Sequence, residues 1–310
     1  MRNRKRKLRR RAILVFMLFL AFAAFAAAAW FGCQNRRLPG EKIQSKALFS
    51  PPAQTIEPPT PAEVSPESPP APSATNQGVA FIHIQPTPPV KKTSVAAIII
   101  DDLGNNWEMD RRFVESDLPL TLAVLPRCAF SERVAEAAGK AGKPVILHLP
   151  MEPLSGGNPG PGKITASMNS LEVQSTVEDD LKSVPGVEGI SNHQGSKATA
   201  VAAVAAAVVE IAEKKHLYII DSLTSPDSVF SKTAHQMQVK TTSRQVFLDN
   251  KDDPEYIKGQ LRELIRLATE KGEALAIGHV RKNTLRSIEE MLPAFEAAKV
   301  RLVYARDLLE

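Results

Sequence analysis

The chain has 310 residues, with 39 Lys and Arg against 34 Asp and Glu and a formal net charge of +5. That surplus is local: twelve of the basic and four of the acidic residues precede residue 91, which leaves the remainder at −3. A nucleic-acid footprint needs basic residues clustered on a folded surface, so this distribution argues against nucleic-acid binding, and two cysteines, Cys33 and Cys128, define no disulfide framework.

Residues 1–11 carry eight Lys or Arg, and residues 12–32 carry no charge. An α-helix needs about 20 apolar residues to cross ~30 Å of hydrocarbon, and a basic flank stays on the cytoplasmic side. The sequence therefore predicts a basic cytoplasmic tail at 1–11 and a single-pass transmembrane signal-anchor at 12–32. The anchor is expected in the inner membrane, with the rest of the chain in the periplasm. The apolar run exceeds the ~7–15 residues of a secretory signal, which favours retention, although the alanines at 26–29 leave cleavage open. Residues 33–92 read as a Pro-rich disordered linker. Twelve prolines between Pro51 and Pro89 break any helix or sheet ladder and favour extended conformations. Phe81-Ile82-His83-Ile84 is an apolar island within it.

From residue 93 the composition turns globular. A β-branched run at 95–100 predicts a buried strand, 106–116 a helix, and 120–125 a strand after Pro119. A helix follows at 131–140 with Ser131 as its cap, then a strand at 144–149. Cys128 is expected to be a small buried hydrophobe. The Gly- and Pro-rich loop at 154–163 has the composition of a site-lining segment. Asn169 with Glu172 three residues on marks the start of a helix at 170–183. Further strands are predicted at 189–191, 217–220, 244–248, 274–277 and 301–303, and further helices at 199–214, 255–270 and 284–298. This alternation predicts a single α/β domain over 93–310, with about seven to eight mostly parallel strands covered by helices. An irregular β/α barrel and an open doubly wound sheet both satisfy it, and both gather functional groups at the C-terminal ends of the strands.

Those ends carry the chemistry. Asp101 and Asp102 follow the first strand directly. His148 closes the third, with Glu152 four residues on. His193 lies just after the fourth, inside Asn192-His193-Gln194-Gly195-Ser196. Asp221, Asp249 and His279 each follow a later strand. Parallel strands bring all of these to one rim. A carboxylate with imidazoles suits Zn²⁺ or a similar divalent ion, which lowers the pKa of bound water. A second carboxylate can then accept a proton and a further His can donate one. His83, His216 and His235 fall in linker or helix-edge positions and read as incidental. Gly195-Ser196 lacks a Gly-x-Ser-x-Gly elbow, and no glycine-rich turn opens a helix as a dinucleotide site requires.

The segment Ile98-Ile99-Ile100-Asp101-Asp102-Leu103-Gly104 resembles the Asp-Asp motif of NodB-type polysaccharide deacetylases. Together with His148-Leu149-Pro150-Met151-Glu152-Pro153, Asn192-His193-Gln194-Gly195-Ser196 and Ile277-Gly278-His279, it is more closely similar to the divergent polysaccharide deacetylase family, over about residues 95–310. The resemblance implies an irregular β/α barrel, a divalent metal such as Zn²⁺, and hydrolysis of N- or O-acetyl groups on sugars; with the predicted anchor, the expected substrate is an envelope polysaccharide. It implies Asp101 as base, Asp102 and His148 as metal ligands, and His279 as the acid that protonates the leaving group. The His-x-x-x-His pair of ordinary deacetylases is here His148 followed by Glu152; the third ligand is expected to be His193, because neutral imidazole is the commonest metal ligand, with Glu152 as the alternative. Asn192, Ser196, Asp221 and Asp249 are expected to support the site. The arginine-bearing motif that orients the base in ordinary deacetylases is not recognisable. A glycan- or protein-binding envelope module on the same fold, without turnover, is therefore the competing expectation.

Overall fold

The computed structural model of the protein describes residues 93–309; the predicted tail, membrane span and linker lie outside the described residues. Among the described residues no helix is long and apolar enough to cross a membrane. The chain runs β1 (Ser94–Leu103), α1 (Trp107–Val114), β2 (Leu120–Val124), α2 (Ser131–Lys140), β3 (Val145–Met151), α3 (Ser170–Lys182) and β4 (Gly189–Gln194). It continues through α4 (Ala202–Lys214), β5 (Tyr218–Asp221), α5 (Phe230–Gln236), β6 (Thr241–Ser243), β7 (Val246–Phe247), α6 (Pro254–Lys271), β8 (Glu273–His279), α7 (Lys282–Ala297) and β9 (Val300–Val303). A short 3₁₀ turn at Ala305–Leu308 ends it.

All ladders between these strands are parallel, in the order β6-β5-β4-β3-β2-β1-β8-β7 with β9 added to β1. β1 is central because its run Ala96–Ile100 is apolar on both faces and fully buried. β8 takes one edge of β1 from Val95 to Asp101. The other edge is divided, with β9 along Ser94–Ala97 and β2 from Ile98 onward.

Closure comes from the segment 241–247. It starts paired to β5 (Ile219↔Thr241) and ends paired to β8 (Phe247↔Ile277), with only Arg244 and Gln245 between the two pairings. One segment thus changes neighbours and joins the two edges of the sheet into an irregular β/α barrel. The single strand expected at 244–248 is therefore two short strands, and Arg244 sits in the gap between them.

Alternation fills the two faces. Ile98, Ile100, Leu120, Leu122, Ile190 and Ile219 face the helices. Ala97, Ile99, Ile146, Ile220, Leu275 and Ile277 fill the barrel interior. Val303, Ala305 and Leu308 close the lower end, and the backbone N–H of Ala305 donates to Thr121 Oγ1 at 3.0 Å. The interior is thus solid up to the C-terminal rim.

Local signals held where capping chemistry was explicit. Asn169 Oδ1 accepts from the Glu172 N–H at 3.1 Å and Glu172 returns the bond to Asn169 at 2.9 Å, a complete capping box. Ser131 is not the cap of α2. Phe130 holds that position, and the Ser131 hydroxyl instead donates to the Leu125 carbonyl at 2.6 Å and accepts from the Cys128 N–H at 2.9 Å. α5 was not foreseen, because its seven residues show no apolar period; the fully buried Phe230 anchors it.

Gly189 opens β4 where the Tyr218 ring of β5 packs flat against its backbone; an added Cβ would overlap that ring. The ring cannot easily retreat, being buried and bonded through its hydroxyl to Glu188 at 3.2 Å. Gly189→Ala is expected to cost about 1–3 kcal/mol of stability, the range for overpacking a filled core. Urea unfolding should show this as a lowered midpoint at unchanged slope.

Candidate functional site

The rim is assembled by a break in alternation. Between Ile100 and Leu103 the register of β1 with β2 shifts, and Asp102 has φ 69° in the left-handed region. Such a residue costs roughly 1–2 kcal/mol. Its effect is that two successive carboxylates face the same imidazole. His148 Nε2 lies 3.4 Å from Asp101 Oδ2 and 3.3 Å from Asp102 Oδ1. Neighbouring bonds hold the turn: Leu125 N–H to the Leu103 carbonyl, Phe130 N–H to the Gly104 carbonyl, and Gly104 N–H to Asp110 at 3.0 Å.

His148, buried on β3, is oriented by Ser191 Oγ on β4 at 2.9 Å from Nδ1. His193, at the end of β4, brings Nδ1 to 3.0 Å from Asp102 Oδ1 and 3.2 Å from His148 Nε2. One ligand atom from each of Asp102, His148 and His193 therefore lies within 4.8 Å of the others. Burial pushes the Asp102 carboxyl up, but the imidazoles of His148 and His193 outweigh it and hold it well below the usual carboxylate range. For Asp101, burial prevails over the histidines and raises the carboxyl. Asp101 Oδ1 and Asp102 Oδ1 are both buried without an aligned hydrogen-bond donor. Orphaned carboxylate oxygens converging with two imidazole nitrogens fit a divalent cation.

Glu152 does not join this convergence. Its Oε1 accepts from Lys197 at 2.7 Å and its Oε2 from the Ala166 N–H at 2.8 Å, so it clasps the base of the Gly/Pro loop. Ser196 does similar work: its hydroxyl accepts the Leu154 N–H at 2.9 Å. Asn192 ties strand ends together, accepting from the Ser222 N–H and donating to the Gln194 carbonyl, each at 2.8 Å. Asp221 faces outward and is consumed by the Leu223 and Ser231 N–H groups and the Ser228 hydroxyl, which order the turn into α5.

The second half of the rim lies across β1. His279 of β8 sits level with Asp101 in the ladder. Its Nδ1 bonds Asp249 Oδ1 at 2.8 Å, which leaves Nε2 3.9 Å from Asp102 Oδ2. Burial lowers the imidazole, but Asp249 more than compensates and raises it. Thr284 Oγ1 and the His279 N–H fix the other Asp249 oxygen at 2.7 and 2.8 Å.

A cavity of about 300 Å³ opens beside Asp102 and His193, walled by Pro150 and by Asn158 and Pro161 of the Gly/Pro loop. Cys128 lines it half-exposed, not buried as expected, and burial pushes its thiol up, away from nucleophilic reactivity. Arg244 escaped the sequence reading because no flanking motif marks it. Its half-buried guanidinium feels the charges of Asp101 and Asp221.

A parallel β/α barrel with an Asp-His-His cluster on its C-terminal rim is the architecture of a deacetylase-type fold. Residues 98–309 match the family model for divergent polysaccharide deacetylases, and the chain belongs to that family. It is 30% identical over 192 residues to an uncharacterized protein of Haemophilus influenzae, covering 62% of this chain and 69% of that one. It is 32% identical over 196 residues to the uncharacterized protein YibQ of Escherichia coli, covering 63% of this chain and 61% of that one. In fold it is similar to the crystal structure of uncharacterized protein ATU2773 from Agrobacterium tumefaciens, with a TM-score of 0.67 and 21% identity over 70% of this chain and 89% of that one.

Asp180 braces the cavity from behind. It is fully buried, pairs with Arg127 at 2.6 Å, and packs so closely on Gly162 that a Cβ there would overlap its carboxyl. Burial raises its carboxyl to about 7, against the pull of Arg127. A carboxyl raised above its unfolded value binds more protons folded than unfolded. Its contribution to stability is thus present at low pH and lost as pH rises from about 4 to about 7. Asp180→Asn should flatten the pH dependence of the unfolding free energy in that window, by at most about 1.4 kcal/mol per pH unit. Denaturant titrations of both proteins across the window check this.

Proposed function

We propose that this domain is a metal-dependent hydrolase that removes acetyl groups from an envelope polysaccharide, held at the periplasmic face of the inner membrane by residues 12–32. The observation that carries the proposal is the convergence of Asp102, His148 and His193 between Asp101 on one side and the Asp249–His279 pair on the other. Membership of the deacetylase family supports the choice of substrate class.

Asp102, His148 and His193 would hold the ion, with Zn²⁺ the best match to one carboxylate and two imidazoles. Bound there, such an ion supplies Lewis acidity to the acetyl carbonyl and acidifies water. Asp101 accepts the proton of the attacking water, for which its buried, unpartnered Oδ1 is available. His279 donates a proton from Nε2 to the departing amine or alkoxide, while Asp249 keeps Nδ1 protonated and the ring in place. Ser191 orients His148 so that Nε2 faces the carboxylates.

Elemental analysis of the purified protein should find about one zinc per chain, as a single three-ligand Asp-His-His set with an open position for water implies. The zinc should be lost in Asp102→Ala, His148→Ala and His193→Ala but kept in Glu152→Ala. A folded protein that takes up no metal even after reconstitution would sink the hydrolase reading and leave a glycan- or protein-binding module. Asp101→Asn should keep its zinc yet release acetate from acetylated glycans roughly 10²–10⁴-fold more slowly, the usual loss when a general base is removed.

A further inference from the structure

Arg244 occupies the gap between β6 and β7 and forms no salt bridge among the described residues. Nε donates to the Ser222 carbonyl at 2.7 Å and Nη2 to the Leu223 carbonyl at 2.8 Å, which fixes the guanidinium plane against the end of β5. Nη1 has no partner among the described residues, and no carboxylate there forms a salt bridge with Arg244. The acids whose charge it feels are Asp101, whose Oδ2 lies 3.4 Å from His148 Nε2, and Asp221, engaged by three donors on the outer side; neither forms a salt bridge with Arg244.

The place of this cation matters. The guanidinium lies 5.0 Å above the Phe247 ring, and that ring meets the His279 imidazole edge-on at 5.2 Å. Ser222, 4% exposed, has a hydroxyl with no hydrogen-bond partner. A second guanidinium, Arg281, spends Nη1 on the Asp249 carbonyl at 2.6 Å and likewise has no salt-bridged carboxylate among the described residues. Beside the Asp249–His279 pair, this side presents two fixed guanidiniums without salt-bridged carboxylates among the described residues, and a buried orphan hydroxyl. Holding a half-buried guanidinium without a counterion is costly. A planar, pre-oriented fork is the arrangement that captures a carboxylate.

We infer that Arg244, with Ser222, forms an anion subsite beside His279 that binds a carboxylate on the substrate, so that the preferred substrate is an acetylated acidic sugar rather than a neutral one. The inference rests on the hydrolase reading for the word substrate, while the subsite stands on its own geometry. Arg244 is accordingly a specificity-determining residue.

The test is a binding comparison with the purified full chain, run by calorimetry with the methyl glycosides of glucuronate and glucose, and with acetate as a free-anion control. Charge-assisted bonds predict that the uronate binds roughly tenfold or more tighter than the neutral sugar. The preference should disappear in Arg244→Ala and survive in part in Arg244→Lys, which keeps charge without the fork. Equal binding of the two sugars by the wild-type protein overturns the inference without any variant. So does a preference that persists in a folded Arg244→Ala, or acetate binding as tight as the uronate. Kinetics separate the subsite from a role in sustaining Asp101. Arg244→Ala should lower kcat/KM by a larger factor for an acidic acetylated sugar than for a neutral one, chiefly through KM. An equal fall of kcat on both overturns the specificity role. If no acetate is released from any glycan, the hydrolase reading fails while the binding comparison still decides the subsite.

Discussion

The left-handed turn of β1 at Asp102 is the distortion on which the site depends. In an unbroken strand Asp101 and Asp102 would face opposite sides of the sheet, and one would lie among the apolar residues under the helices. With φ at 69° both carboxylates reach the same imidazole nitrogen. The cost is tolerable because β1 is the best-restrained strand of the barrel, with β8 along one edge and β9 and β2 sharing the other. The same turn at the end of an edge strand would relax, and the carboxylates would separate.

Around that turn the two halves of the rim are held by different chemistry. The ring of His148 is oriented by a hydroxyl, which directs a lone pair without contributing charge. The ring of His279 is oriented by the buried carboxylate of Asp249, which favours the protonated ring. The two imidazoles of one rim are thereby held by different partners, one by a hydroxyl and the other by a carboxylate. Arg244 and Arg281 extend the asymmetry: each donates to backbone carbonyls beside this half of the rim and has no salt-bridged carboxylate among the described residues.

Much of this arrangement was legible in the sequence, because an apolar run that ends in Asp or His has few other readings in a parallel sheet. The interior side chains Ile99, Ile146 and Ile277 are each followed two residues later by a rim group, Asp101, His148 and His279. The period of two carries the pattern from core to rim. What stayed illegible was whatever depends on partners distant in sequence. His193 stood ahead of Glu152 on ligand chemistry alone, and only the Lys197 and Ala166 contacts draw Glu152 away. Asp221 follows a strand just as Asp249 does, yet it turns outward because Ser228 and Ser231 are there to receive it. Arg244 lies in a segment read as one strand, and its position becomes meaningful only once that segment is seen to change neighbours between β5 and β8.

The apolar filling of the barrel and its lower plug at Val303, Ala305 and Leu308 leave the rim as the approach to Asp101. Traffic therefore runs through a single doorway. On the proposed hydrolase reading, a sugar that presents its acyl group to Asp101 would enter acyl end first, with the ring behind it. Its small acid product would then be left innermost, with the sugar between it and solvent. Departure would be ordered sugar before acid, and accumulated free acid would occupy the floor of the site against the next arrival.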